Sequence, residues 1–296
     1  MINQEGYVLT LTNKQKGIIC IILSAFSFAL MNAFVKMAGD LPFIQKSFFR
    51  NFIAFVCAAV LLIRTEEKFK FEKKNLGVLL IRSILGTLGI LCNFYAIDNL
   101  LLSDASMLNK LSPFFVIIFS YFFLKEKIKP FQIFAITVAF IGCLFIIKPG
   151  FLSITQSYAS IIGLLGGIFA GAAYTAVRKL TQMGERNAFI VFFFSGFSCL
   201  STLPYIIFCS EPMTTSQVMF LLLSGLAATG GQFGITAAYS FAPSREISVF
   251  DYTNIIFAAI LGFIFFGQIP DVYSILGYII ICGISIIMFF YNNKQG

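Results

Sequence analysis

Asp104-Ala-Ser-Met-Leu-Asn-Lys-Leu-Ser-Pro-Phe-Phe-Val-Ile-Ile-Phe-Ser-Tyr-Phe-Phe-Leu124 is polar for its first third and apolar for the rest. The same layout returns 142 residues later, in Glu246-Ile-Ser-Val-Phe-Asp-Tyr-Thr-Asn-Ile-Ile-Phe-Ala-Ala-Ile-Leu-Gly-Phe-Ile-Phe-Phe266. In this frame Asp104 matches Glu246, Ser106 matches Ser248 and Asn109 matches Asp251. Phe115 matches Phe257 and Phe123 matches Phe265, while upstream Gly89 pairs with Gly231 and Ala96 with Ala238. Coincidence among phenylalanines is cheap in an apolar chain. The polar pairs carry more weight because polar residues are scarce here.

That scarcity sets the class. Of 296 residues, 58% are apolar and 11% charged, and the mean hydropathy is +0.90. Soluble domains hold roughly 45–50% apolar and about 25% charged residues, and no soluble core of this size could hide the excess. The chain is therefore read as an all-α integral membrane protein. Counting apolar stretches between polar breaks predicts ten transmembrane helices, at 17–38, 44–63, 76–97, 104–124, 130–147, 159–177, 188–208, 217–239, 246–266 and 271–290. Pro130, Pro149 and Pro270 mark helix edges. The first stretch has no small-residue cleavage site and is too long for a signal-peptide core, so it is retained as a helix.

Lysine and arginine placement orients the chain. With the N-terminus inside, inner segments collect Lys14, Lys16, Arg64, Lys68, Lys70, Lys73, Lys74, Lys125, Lys127, Lys129, Arg178, Lys179, Arg186, Arg245 and Lys294, and the outer segments only Lys46 and Lys148. Both termini are thus expected in the cytoplasm, in a cytoplasmic membrane. Compact loops and heavy use of Ile, Phe, Lys and Asn suggest a prokaryotic one. The formal charge of +8 reflects this topology and not a nucleic-acid surface. Five helices per half is odd, so a duplicated half inserts upside down relative to its twin. Two inverted five-helix repeats around a central cavity, at 15–148 and 157–291, are the expected organisation, and such repeats are a signature of secondary carriers.

Several chemistries are absent from the sequence. There is no histidine, which removes His-ligated metals and Ser-His or Cys-His nucleophiles. Cys20, Cys57, Cys92, Cys143, Cys199, Cys209 and Cys282 stand singly and read as small buried hydrophobes. No phosphate loop, nucleophile elbow or zinc-helix motif is present. No cofactor is expected, and catalysis is not. The competing readings are a polytopic membrane enzyme, marked by a chemically altered product, or a channel or receptor, separated from a carrier by saturable counterflow.

Asn93-Phe-Tyr-Ala-Ile97, Ser103-Asp-Ala-Ser-Met107, Ser112-Pro-Phe-Phe115 and Lys125-Glu-Lys127 together resemble the third-to-fourth-helix region of the EamA family, within the drug/metabolite transporter superfamily. Arg50 after Phe48-Phe49 sits where these proteins often carry an arginine, and Ala238-Tyr239, Ser248, Asn254 and Phe266-Gly267-Gln268 repeat the pattern, with glutamine in place of the usual glutamate. The resemblance spans about residues 15 to 290. It implies a two-repeat carrier of a small-molecule substrate, without specifying which, since the family moves amino acids, other metabolites, nucleotide-linked sugars and drugs.

Charges inside a bilayer cost roughly 2.5–3.5 kcal/mol each at a helix centre, so they are the leading site candidates. Asp251 is the one acid placed well inside a predicted span. It is read either as a structural partner of Lys110 or as a proton- or cation-coupling group, the more so without histidine. Asn109, Ser112 and Pro113 share one helix face, as do Asp251 and Asn254, which marks a cavity lining. Arg50 and Arg82 are expected either to line the cavity or to snorkel, and Lys36 to reach the outer interface. Asn32, Asn93, Tyr95, Tyr174, Gln232 and Tyr252 complete the candidate substrate-binding set. If Lys110 neutralises Asp251, the two arginines lack a partner, which favours a substrate with an anionic group such as an amino acid. Protons or a counter-substrate are the expected coupling partners, the lipid bilayer the surroundings, and a monomer the favoured state. Gly163, Gly167 and Gly171, and separately Gly230 and Gly234, form small-residue seams for close helix packing.

The topology is directly testable. A reporter fused after Lys294 is expected to signal from the inside, and one in the loop around Ser157 from the outside; the opposite pair of signals overturns the ten-helix reading.

Overall fold

The computed structural model describes residues 11–125, 128–148, 154–241 and 247–294. Glu126, Lys127, Pro149, Arg245 and Glu246, used above, lie outside the described residues. The helices are α1 (Asn13–Met37), α2 (Phe43–Ile63), α3 (Leu76–Asn99), α4 (Leu102–Asn109), α5 (Ser112–Leu124), α6 (Pro130–Ile147), α7 (Ile154–Gln182), α8 (Asn187–Cys209) and α9 (Thr215–Phe241). After them come a 3₁₀ turn (Ser248–Tyr252), α10 (Thr253–Phe266) and α11 (Val272–Lys294). Nine helical stretches among the described residues are long and apolar enough to cross a membrane, with α4 and α5 counted together, and Phe250–Phe266 is a shorter tenth. The architecture is all-α, ten crossings in two inverted five-helix repeats.

The two-fold relation of the halves is visible in which helices touch. The first helix of each half packs on the third of the other, α1 on α9 and α7 on α3. The second helices pair across the halves, α2 with α8, and so do the fifth, α6 with α11. Loop details repeat at opposite ends. Gly39 after α1 (φ 69°) and Gly184 after α7 (φ 84°) occupy the left-handed region that favours glycine. Gln217, in the first turn of α9, donates to the Ala38 carbonyl at 3.1 Å. Asn75, just before α3, donates to Glu185 Oε2 at 2.9 Å. An amide at the start of each third helix therefore ties it to the end of the other repeat's first helix, through a backbone carbonyl at one end and a carboxylate at the other.

Three expectations are corrected. The span predicted at 159–177 is the 29-residue α7, Ile154–Gln182, because polar residues at its ends extend the helix past the apolar stretch. The span predicted at 104–124 is broken between Asn109 and Ser112, and the one predicted at 246–266 between Tyr252 and Thr253. Pro113 explains the first break: it has no N–H to donate and its ring crowds the carbonyl of Asn109 four residues earlier. The second break has no proline. There the chain tightens into 3₁₀ geometry, and the Thr253 hydroxyl bonds the Phe250 carbonyl at 2.7 Å, a local alternative to the helical ladder. Broken helices at matching positions of inverted halves mark transport sites in secondary carriers.

The glycine seam of α7 holds the first break in place. A Cβ on Gly167 would lie 2.6 Å from the Leu108 carbonyl oxygen, and one on Gly171 would lie 2.5 Å from Phe115 Cβ. Backbone thus rests against α7 on both sides of the interruption. Gly167→Ala is expected to destabilise the protein by about 1–3 kcal/mol, as overpacking does, read as a lower melting temperature in detergent. Gly283→Ala, where the added carbon meets nothing within 4 Å, is the neutral comparison.

Candidate functional site

Lys110 ends α4 at the first break and Asp251 lies in the 3₁₀ turn before the second. Their side chains meet: Lys110 Nζ is 2.5 Å from Asp251 Oδ2, with only 15% and 21% of the two side chains exposed. The repeat places them there, since Asn109 is the partner of Asp251 and Lys110 follows it. Asp251 Oδ1 is buried without a partner, so the carboxylate is only half satisfied. The Tyr252 hydroxyl approaches the Lys110 carbonyl at 3.3 Å, covering a backbone acceptor that the break leaves free. Asn254 donates to the Ala25 carbonyl at 2.7 Å. Asn32 donates to Ser106 Oγ at 3.3 Å while its own Oδ1 is buried and unpartnered. Asn32, Ser106, Lys110, Asp251, Tyr252 and Asn254 thus line the junction of α1, α4 and the broken ninth crossing. Asn109, beside Lys110, is half-buried.

A second group gathers on α2, α3 and α7. Arg50, Arg82 and Tyr174 lie within electrostatic reach of one another. Arg50 Nη1 donates to Asn51 Oδ1 at 2.6 Å, and Asn51 in turn donates to Ser198 Oγ on α8 at 2.8 Å. Arg82 spreads its guanidinium over the Phe194 ring, 4.2 Å from its centroid. Both Nε atoms are buried and unpartnered, and among the described residues no carboxylate pairs with either arginine. Tyr174 shares a helix face with Gly163, Gly167 and Gly171 yet is 53% exposed. The face that is packed at Gly171 is therefore uncovered one turn further on, beside the arginines.

The remaining candidates are spread wider. Asn93 is buried on α3, where α7 passes close at Gly166. Tyr95 sets its ring edge-on to Phe43, centroids 5.6 Å apart. Gln232 is exposed on α9.

A third polar cluster escaped the sequence reading. At the end of the bundle opposite the start of α1, Lys46 is fully buried and pairs with Asp98 at 2.6 Å. Lys148 Nζ meets Asp271 Oδ2 at 2.7 Å and Ser274 Oγ at 2.8 Å. Lys36, in the last turn of α1, donates to the carbonyls of Ile97 at 2.8 Å and Leu100 at 2.5 Å; a cation at a helix C-terminus is favoured there. Asp271 also caps α11, accepting from the Ser274 N–H at 2.8 Å. Partial burial raises its carboxyl, but the bonds from Lys148 and Ser274 outweigh this and hold it below the ordinary carboxylate range. That stabilisation is complete above the ordinary range and is lost as pH falls through the depressed value. Asp104, in the first turn of α4, is buried. The only signal in the sequence was the placement of Asp98, Asp104 and Lys148 at span ends, which reads equally as a solvated edge. Gln268, standing where a glutamate was expected, accepts from the Leu102 N–H at 2.9 Å and so caps α4.

Comparison with known proteins agrees with this geometry. The model of the EamA-like transporter family matches residues 15–148 and again 157–290. The chain belongs to the EamA-like transporter family. The pseudopaline exporter CntI of Pseudomonas aeruginosa is 34% identical over 271 residues, covering 90% of this chain and 93% of that protein. Human solute carrier family 35 member G1 is 28% identical, covering 88% of this chain and 75% of that one. The riboflavin transporter of Brucella anthropi is 25% identical, covering 90% and 95%. A solved crystal structure shares the fold with a TM-score of 0.67 at 12% identity, over 94% of this chain and 98% of that one. The protein is a multi-pass membrane transporter.

The ion pair at the paired breaks makes a testable energetic statement. Lys110→Met and Asp251→Asn each leave one partner uncompensated, expected to cost about 1–3 kcal/mol, between exposed and fully buried pairs. The double variant is expected to be more stable than the less stable single. Thermal unfolding of the four proteins in one detergent gives the coupling directly, and additive losses would mean that the pair has no energetic link.

Proposed function

We propose that this protein is a secondary carrier that exports or exchanges a small polar solute bearing an anionic group, across a cytoplasmic membrane, with both termini in the cytoplasm. The observation that carries the anionic group is the pair Arg50 and Arg82. Each holds a buried, unpartnered Nε, and with Asp251 taken by Lys110 neither has a carboxylate. A buried cation without a counter-charge is costly, and a guanidinium fork suits a carboxylate or phosphate. An amino acid or other organic acid fits this lining better than a cationic drug. The relatives named as an exporter and as carriers of other solutes support transport as the activity, and their different names keep the substrate a matter for measurement.

The orientation rests on the lysines and arginines. The outer segments hold only Lys46 and Lys148, both paired with aspartates, and the other basic residues of the loops lie on the inner side, the sign expected for cytoplasmic loops. The Lys110–Asp251 pair joins the broken helices of the two repeats, and we assign it the part that must loosen when one repeat rocks against the other. The repeats themselves are taken as 15–148 and 157–291.

Proteoliposome counterflow with a panel of organic acids, amino acids and organic cations tests the reading. Arg50→Gln and Arg82→Gln are each expected to weaken the transported solute by tenfold or more, about 1.4 kcal/mol. Normal transport by both variants, with a neutral or cationic solute preferred, would overturn it.

A further inference from the structure

A cavity of about 350 Å³ lies at the end of the bundle opposite the start of α1, between the end of α3, the first turn of α4, the end of α6 and the turn between α10 and α11. Its size is that of a small-molecule site, about 300–1,000 Å³. None of the residues singled out for the Arg50–Arg82 group or the Lys110–Asp251 junction lines it. Most of its charges are already matched. Lys148 is held by Asp271 and Asp98 by Lys46; Lys36 has no carboxylate in ion-pair distance among the described residues, and its ammonium is turned to two carbonyls, of α3 and the turn after it.

Asp104 is different. It is only 6% exposed, and hydroxyls are what bond it: the Tyr278 O–H donates to Oδ1 at 2.6 Å, with Ser103 Oγ 2.8 Å from the same hydroxyl. Among the described residues no lysine or arginine comes within ion-pair distance of it. The charges that act on it are Lys148 and Asp271, which already neutralise each other. A buried carboxylate met only by neutral donors lacks the counter-charge that such groups require. Here the missing charge adjoins open space of ligand size.

We propose that this cavity binds the ammonium group of a primary amine, with Asp104 as the anchor. An ammonium is a compact donor of three hydrogen bonds. It supplies the positive charge that Asp104 lacks, and the lining amide Asn99 offers it a neutral partner. The site is the converse of the arginine cluster, where the unmatched charge is positive. It deepens the carrier reading by giving the solute an amine as well as an acid, and it rests on that reading only for placing the cavity on the solute's path. Binding is measurable without transport.

The probe is ethanolamine, with ethylene glycol as its uncharged counterpart, added to the purified full-length protein in lipid nanodiscs at neutral pH. Ethanolamine is expected to raise the melting temperature by about 2–4 °C near saturation, and ethylene glycol to leave it unchanged. Asp104→Asn removes the anchor and Leu101→Trp fills the cavity with the anchor intact; both are expected to lose the rise. Asp40→Asn, an exposed acid at the same end, is expected to keep it. If Asp104→Asn does not fold, Leu101→Trp decides. Equal responses to the two probes, or a rise that survives either cavity variant, overturns the proposal. In that case a tenfold loss of transport in Arg50→Gln would still leave the carrier reading standing.

Discussion

A bilayer supplies neither a counter-charge for a buried ion nor a partner for an unpaired backbone group, and the Lys110–Asp251 pair is where this protein meets both demands at once. The fourth and ninth crossings are interrupted at matching places, and at the first interruption Pro113 leaves helical carbonyls without their usual N–H partners. Such backbone is tolerated only where protein or a water-filled cavity covers it. Gly167 lets α7 lie against the Leu108 carbonyl, and Tyr252 reaches the carbonyl of Lys110. The pair itself closes the gap between the two broken helices. The glycine seam, the inverted packing and the polar junction with α1 follow from keeping those two breaks covered.

Inversion gives the molecule two ends built by one rule. Asn75 with Glu185 and Gln217 with Ala38 tie corresponding helix ends in opposite repeats, one through a carboxylate and one through a backbone carbonyl. The ends differ in what was added to the rule. One carries most of the basic residues of the loops; the other carries two lysine–aspartate pairs whose lysines are buried and the cavity at Asp104. Between them stand two arginines without acids. Unmatched charges of opposite sign, held apart in one bundle, are the features through which the proposed solute chemistry enters.

The fold was legible because membrane spans are a one-dimensional signal. Apolar length, proline edges and the distribution of lysine and arginine are all local, and the offset of 142 residues exposes the repeat through a few polar pairs. The breaks were less legible. Pro113 carries the information for one, masked by its place on a polar face with Asn109 and Ser112, and the other has no proline to announce it. The Lys110–Asp251 contact was foreseeable only because the repeat places Asn109 opposite Asp251.

Polar residues near span ends are where the sequence falls silent. Lys46, Asp98, Asp104 and Lys148 look like solvated edges in one dimension, because nothing local distinguishes a helix end in water from one folded under a neighbouring turn. The sequence by itself determined the class, the crossings, the repeat and the charge asymmetry, since each depends on composition along a short window. Which charges are matched and which stand alone was decided only by the tertiary structure. Pairing of Lys46 with Asp98 and Lys148 with Asp271, and its absence at Arg50, Arg82 and Asp104, depends on how helices far apart in the chain come together.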